Sequence, residues 1–509
     1  MPVAAAEAVE RTSSAPPPRR RGWIPRWRHL PLAALLGAYL AARVRILTGF
    51  TVFTSPDAGS YAARSGNPIE TLSFTGHAPR PWGVPLLYAM VDTDPARVVL
   101  QWTISTLAWS LLVCACWLLL RSLPVRVFAA AALICLALSR SVYPWDHAIL
   151  SESLSISLGI AALALLAIWV RTRSRVAITA LVLVAFWWTF TRQDVLPYVL
   201  LLVVVLAGYV LLRRYRWAAA TATVVLLGGL AWQAAIVPTV DHSYRSWGTG
   251  VSLSEATFLY RLRFQVLNDP QVKSAYQQEF GMPRCERAEL LAKGRSGAMG
   301  EFIVAYRDCP ALMDWVQREK GSVGYRYALA HPKHYADTVL KLLPTSLGGT
   351  VRYAKPVPGV PTFPERVFFP QPDRVLPQAG LIFLVTLGAG LLARAFRGAR
   401  LLAVAGTLVV LASMGSAVAG TMYSAGEYSR FGIQEAVLLR VGLVLLAAAA
   451  IQAVVASVTD RVAALRRRRA PAATPAPGEA PAASEAPAAT DLARDEPAFA
   501  QGPRPHRRR

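Results

Sequence analysis

The sequence predicts an all-α integral membrane protein of about ten transmembrane helices, with a mainly helical loop domain set between them. Three observations carry that prediction. Apolar residues make up 54% of the 509 positions and charged residues only 17%, a balance far from that of an ordinary soluble domain. Runs of the roughly 20 mostly apolar residues that a bilayer span needs recur along the chain. The connections between them, taken from a cytoplasmic start, gather their arginines on one side of the membrane.

Residues 1–29 are polar and rich in proline and arginine and end in RRRGWIPRWRH. They read as a disordered basic tail that holds the start of the chain in the cytoplasm. The first apolar run, from Leu30 to about Phe50, includes AYLAAR, whose small residues would suit a cleaved signal, but it is longer than a usual signal core. An uncleaved first helix is expected. An outer loop over 51–96 follows. Six further spans are expected at about 97–120, 126–143, 149–170, 176–192, 194–212 and 217–238. Together these seven make a membrane module over 30–238. Residues 239–376 form a polar stretch of 138 positions, expected as an extracytoplasmic loop domain. Three C-terminal spans are expected within 377–458, at about 377–396, 400–420 and 435–458. The remainder, 459–509, passes into an Ala/Pro/Glu mixture that cannot bury enough apolar surface to order itself.

Charge tests the count. With both termini inside, the cytoplasmic connections contain Arg121 and Arg126, RTRSR at 171–175, RRYR at 213–216, RAFRGAR at 394–400 and Arg466–Arg469. An odd number of missed spans would scramble that alternation. The same distribution accounts for much of the net charge of +24. It lies beside the membrane, facing anionic lipid, and not in a stripe with interleaved aromatics, so no nucleic-acid partner is expected. The expected location is the inner or plasma membrane, multi-pass. Cys114, Cys116 and Cys135 fall in apolar spans and read as inert. Cys285 and Cys309 fall in the outer loop, where a disulfide between them is left open.

With orientation set, the outer ends hold the residues suited to chemistry. The first outer loop carries TSPDAGSY, Glu70 and SFTGHAPRPWGVPLLYAM, which contribute Asp57, Tyr61, His77 and Arg80. The second outer turn, YPWDHAILSESL, puts Asp146, His147 and Glu152 near the start of one helix. Glu152 begins an apolar run, and a charge so close to hydrocarbon faces a cavity, a partner or a substrate. TFTRQDVLPYVL adds Arg192 and Asp194 in a tight turn, and MYSAGEYSRFGIQE adds Glu427, Arg430 and the deeper Glu435. Adjacent opposite charges also pair simply as surface ions, and acids also cap helices, so each has a structural reading beside the functional one. Acids and arginines gathered at one membrane face suit glycosyl transfer from a lipid phosphate. That reaction needs a base for the acceptor hydroxyl and cations for the leaving phosphate. Asp57 suits the first task. Arg80, Arg192 and Arg430 suit the second, because a guanidinium fork matches phosphate oxygens in pairs.

These segments resemble, in order, the GT-C superfamily of multi-spanning glycosyltransferases that use polyprenyl-phosphate sugars, including its protein-mannosyltransferase-like and aminoarabinose-transferase-like branches. DAGSY at Asp57–Tyr61 is similar to an acidic motif after the first helix, and RPWGVPLL at Arg80–Leu87 to the stretch that follows it. SESL at Ser151–Leu154 carries an acidic role onto Glu152. Arg192 stands where relatives often have Arg-Pro, with Gln193 here in place of proline. His331–Tyr335 and Glu427–Phe431 complete the series. The resemblance implies a seven-helix GT-C-like front module whose first outer loop supplies the catalytic acid. It also implies an inverting transferase acting on the outer face. The donor is then a polyprenyl-phosphate sugar, and the acceptor an envelope glycan, lipid or protein. Asp57, Glu152 and Asp146 would be catalytic; Tyr61, His77, Arg80, His147, Arg192, Glu427 and Arg430 would bind substrate. Cofactors stay open, since a divalent metal assists some relatives while a monophosphate-lipid donor does not require one. His331 and His334, three apart with no suitably spaced acid beside them in sequence, are not expected to bind zinc. Two other classes compete: a transporter or flippase of lipid-linked saccharides, towards which Arg43, Arg45 and Arg440 lean, and a non-catalytic envelope-assembly protein.

Overall fold

The computed structural model describes residues 29–469 apart from 56, 63–68, 70–73, 75–79, 213–215, 247–249, 295–298, 350–356, 393–396 and 424–427. His77 and Glu427, and most of both terminal tails, lie outside the described residues. Residues up to Val458 belong to one compact unit and those from Thr459 to a second. Every regular element among the described residues is helical, and the sole extended pairing there is an isolated parallel bridge between Phe53 and Ala148.

The front of the chain comprises α1 (Leu30–Thr48), the short α2 (Ala58–Ala62) and α3 (Gly83–Ala89), α4 (Asp94–Leu119), α5 (Leu123–Ala137), α6 (Glu152–Thr172), α7 (Arg175–Thr189), α8 (Leu196–Leu211) and α9 (Arg216–Tyr244). The loop region folds as α10 (Leu253–Arg261), a π-helical turn at Leu262–Val266, α11 (Pro270–Gln278), α12 (Glu286–Lys293), α13 (Met299–Arg307), α14 (Pro310–Glu319), α15 (Val323–Ala330), α16 (Pro332–Gly348) and α17 (Phe363–Phe368). The last elements are α18 (Pro372–Leu392), α19 (Arg397–Tyr423), the four-residue α20 (Tyr428–Phe431) and α21 (Ile433–Arg469).

Among the described residues seven helices are long and apolar enough to cross a membrane: α1, α4, α6, α8, α9, α19 and α21. This is the mark of a multi-pass membrane protein. A helix overlies each of the ten expected segments, but α5 and α7 have only fifteen residues, about 22 Å of rise against a hydrocarbon core of about 30 Å. The chain expected as helix to 143 stops at Ala137 and turns through a 3₁₀ segment at Tyr143–His147. The next helix starts at Glu152 and not at 149, because backbone there is paired with the first loop: Phe53 N donates to His147 O at 2.9 Å and Ile149 N to Phe53 O at 3.0 Å.

α6 packs between α4 and α7 at the centre of the main apolar core. Glycine permits the closest of these approaches, since a Cβ on Gly159 would stand 2.7 Å from the Trp188 ring. Gly406 of α19 and Gly442 of α21 face one another in the same way, each leaving its Cβ space to the other's carbonyl, the small-residue contact that membrane helices use to bring backbones together. The loop helices have a core of their own around Phe258, Leu259, Tyr276, Phe302, Tyr306 and Trp315. Their starts follow from sequence punctuation: Ser252 and Glu255 form a capping box on α10, the Asp269 side chain caps α11, and prolines open α14 and α16.

Candidate functional site

The bridge at Phe53 lays the first loop along the segment that leads into α6, and Asp57, at the head of α2, shares an arginine with Glu152, the first residue of α6. Arg430 of α20 joins them, with Nη2 2.8 Å from Asp57 Oδ2 and Nε donating to Glu152 Oε1 at 3.0 Å. Arg192 reaches the same Oε1 from the turn before α8, at 3.0 Å, and its Nε donates to both carboxylate oxygens of Asp194 at 2.9 Å. Arg80 closes the other flank: its Nη2 lies 3.4 Å from Asp57 Oδ1, and its Nε donates to Ser60 Oγ at 2.9 Å. Three acids and three guanidinium groups therefore form one chain of contacts, Arg80–Asp57–Arg430–Glu152–Arg192–Asp194, drawn from positions up to 373 residues apart.

Hydroxyls knit the cluster. Tyr61 Oη and Ser151 Oγ are 3.1 Å apart, and Arg192 Nη1 donates to Ser151 Oγ at 3.3 Å. The Arg80 guanidinium lies over the Tyr61 ring, 4.8 Å from its centroid, and 5.5 Å from that of Tyr244. Burial alone would disfavour the charge on Arg80, but Tyr61 and Asp57 more than offset this and hold its pKa above the ordinary arginine value. Its position is set by α3: Gly83 N donates to Phe190 O at 3.0 Å, Trp187 Nε1 donates to Gly83 O at 2.8 Å, and Trp82 stacks on Phe190. A side chain at Gly83 would meet the Phe190 carbonyl at 2.6 Å, so that approach requires glycine. Gly432 does the same for α20, where a Cβ would stand 2.4 Å from the Ser346 carbonyl oxygen.

The network is graded in exposure. Glu152 is 1% exposed at its side chain, Arg430 7% and Arg192 9%, whereas Asp194 is 25% and Asp57 35% exposed. The inner acid is fully committed to two cations, and the outer acid meets solvent. Such an arrangement can hold an anion between guanidinium groups while a carboxylate at its edge accepts a proton.

Asp146 and His147, expected beside Glu152, have other company. Asp146 Oδ2 accepts from Arg43 Nη2 at 2.6 Å with both side chains buried, and Asp146 Oδ1 accepts from Ser153 Oγ at 2.5 Å. Arg43 also donates to Thr106 Oγ1 at 3.0 Å, so this buried pair ties α1 to the 3₁₀ segment at Tyr143–His147 and to α4. His147 is buried against Phe50 and Tyr143. Burial, partly offset by Asp146, pushes its pKa down to about 4, with Arg43 acting in the same downward sense. Glu435 accepts from Ser416 Oγ at 2.7 Å. Sequence reasoning passed over Ser60 and Ser151, although both sit inside the motifs it singled out.

Cys285 and Cys309 are free thiols. Among the described residues no group of three or more His, Cys, Asp or Glu side chains is placed to hold a metal ion. Acids do approach the histidines of α16 and its cap: His331 Nε2 lies 2.9 Å from Glu279 Oε2, and His334 Nε2 lies 3.6 Å from Asp269 Oδ2. Folding brings them from the two caps of α11, Asp269 and Glu279, which spacing along the sequence could not show. Comparison with family models, with curated proteins and with solved structures finds no match to this chain.

Proposed function

We propose that this chain is a membrane glycosyltransferase of GT-C type that moves a sugar from a polyprenyl-phosphate donor to a cell-envelope acceptor at the outer face of the membrane. In this reading both termini are cytoplasmic and ten helices span the inner or plasma membrane, with α5, α7 and α18 among them. The observation that carries the reading is the meeting of Asp57, Glu152, Arg80, Arg192 and Arg430 in one partly exposed cluster.

The chemistry follows from the cluster. Asp57 takes the proton of the acceptor hydroxyl, whose oxygen attacks the anomeric carbon. The bond from that carbon to the phosphate oxygen breaks, and the electron pair leaves with the polyprenyl phosphate. A single displacement of this kind inverts the anomeric centre. The leaving phosphate gains negative charge, which Arg80, Arg430 and Arg192 are positioned to stabilise. A donor phosphate would compete with Asp57 for Arg80 and Arg430, and each guanidinium it gains frees a carboxylate oxygen of Asp57 for the hydroxyl. Glu152, buried between Arg192 and Arg430, holds the two forks apart and in place.

A transporter would need charge with access to the interior of the bundle. Arg43 is closed off by Asp146, and Arg440 donates to the backbone carbonyls of Phe368 and Ala436 beside the Phe369 ring. Incubating the purified protein with a panel of prenyl-phosphate sugars and measuring released prenyl phosphate tests the proposal. Asp57→Asn should lower transfer by about 10²–10⁴-fold, the usual contribution of a general base. Transfer within tenfold of wild type in a folded variant, or cysteine labelling that puts residues around Asp57 on the cytoplasmic side, would end it.

A further inference from the structure

A cavity of about 300 Å³ lies apart from the charged cluster, between the loop helices and the end of the bundle. Its wall comes from the π-helical turn after α10, the cap of α11, α15, α16, the end of α19 and α20. The volume is at the lower end of small-molecule sites, about 300–1,000 Å³, right for a short saccharide and too small for a folded partner.

Its chemistry is that of neutral hydroxyl recognition. Phe264, Tyr327, Tyr335 and Tyr428 supply apolar ring faces, and Asp269 and Gln265 supply hydrogen-bonding groups beside them. Phe264 is 39% exposed and pairs with the Tyr260 ring, centroids 6.0 Å apart, so an aromatic platform stands in the open next to the cavity. The wall holds a single arginine, Arg261, which donates to the Tyr276 hydroxyl at 3.2 Å, and a single carboxylate, Asp269, 3.6 Å from His334 Nε2 of the same wall. That balance is unlike the surplus of cations that a phosphate requires. Sugar rings present just this pairing of apolar C–H faces and polar edges, to which aromatic side chains with polar neighbours are suited.

The cavity is also joined to the cluster by α20. Gln265 donates to the Tyr428 hydroxyl and, at 3.2 Å, to the Thr421 carbonyl. Tyr428 lines the cavity, and Arg430, two residues on in the same short helix, binds Asp57 and Glu152. We infer that this cavity is a saccharide subsite taking a neutral sugar ring or short oligosaccharide, and that it holds the acceptor chain whose end is presented to the cluster through α20. Its role as an acceptor site rests on the transferase reading; the binding of a neutral saccharide there does not.

Saturation-transfer NMR on the full chain in detergent, with neutral oligosaccharides of mannose, arabinose and glucose as probes, tests the inference without any turnover. At least one probe should receive saturation from the wild type. Phe264→Ala and Tyr335→Ala should each weaken its Kd by about tenfold, the scale of one lost aromatic contact. Asp57→Asn should bind it as the wild type does. Thr338→Trp, which fills the cavity from α16, gives a second route to the same loss should either truncation fail to fold. Absence of any saccharide signal, or equal affinity in all folded variants, overturns the subsite. If the donor is cleaved all the same, the transferase stands without it. Phe264-dependent binding in a protein that cleaves no donor keeps the subsite and removes the transferase.

Discussion

Replacing a carboxylate by its amide should cost stability unequally at the two acids that Arg430 bridges. In Glu152→Gln the lost charge lies at a side chain only 1% exposed, whose Oε1 takes Arg430 Nε and Arg192 Nη1 at 3.0 Å each. Two guanidinium groups are then left close together with no anion between them. Breaking a buried pair costs about 3–5 kcal/mol. Because Arg192 keeps Asp194 and Arg430 keeps Asp57, the lower end, about 3 kcal/mol, is expected. Asp57 is 35% exposed, and a pair so open to water is worth about 1 kcal/mol or less. Denaturant unfolding of the solubilised protein, followed by tryptophan fluorescence, should therefore place Glu152→Gln about 2 kcal/mol below Asp57→Asn. Donor cleavage should fall in both. Equal stability of the two variants would refute the claim that Glu152 is the buried keystone of the network, and intact cleavage in Glu152→Gln would detach it from the site.

Two further outcomes follow from local geometry. His147 is harder to protonate in the fold than in the unfolded chain, its pKa lowered from 6.5 to about 4 chiefly by burial. The stability this contributes is complete above pH 6.5 and is lost as pH falls towards 4, on the order of 3 kcal/mol over that window. Thermal melts at pH 7 and pH 5 should therefore separate more for the wild type than for His147→Gln. Gly432→Ala puts a methyl group 2.4 Å from the Ser346 carbonyl oxygen, which α20 can relieve only by moving. An overpacking cost of about 1–3 kcal/mol should accompany a fall in transfer, seen as a raised KM for the donor, because Arg430 moves with the helix.

The apolar segments were legible because a bilayer imposes length and hydropathy on each span separately, and a helix overlies every expected one. Their ends were less so. The start at Glu152 depends on Phe53 pairing with Ala148 across some 95 positions, which no local pattern announces. The cluster was legible in part because Asp57, Glu152, Arg192 and Arg430 each stand in a short polar motif at the end of an apolar run. Asp146 was drawn into the same set by proximity to Glu152. Its partner Arg43 lies within the first apolar run, two residues before Arg45, where a charge gives no sign of what it will meet. The cavity was not legible in sequence, since one face of α16 (His334, Tyr335, Thr338, Val339, Leu342) and the turn Phe264–Val266 are joined by residues of distant segments, Tyr327, Thr421 and Tyr428 among them.

Arg43 and Asp146 offer the sharpest control on the proposed site, because they too are a buried acid–arginine pair near the head of α6. Their side chains are 1% and 5% exposed, and their other partners are Thr106, Trp102 and Ser153, so no substrate reaches them without the helices parting. Removing one partner should destabilise by about 3–5 kcal/mol, since a buried charge is left alone, whereas replacing both with apolar residues of similar volume often costs little. Arg43→Met with Asp146→Leu should accordingly recover most of the stability that Asp146→Leu alone forfeits, and the double variant should still cleave its donor. Recovery without activity in the folded double variant would return Asp146 to the catalytic set, and would mean that exposure does not separate the working charges from the structural ones.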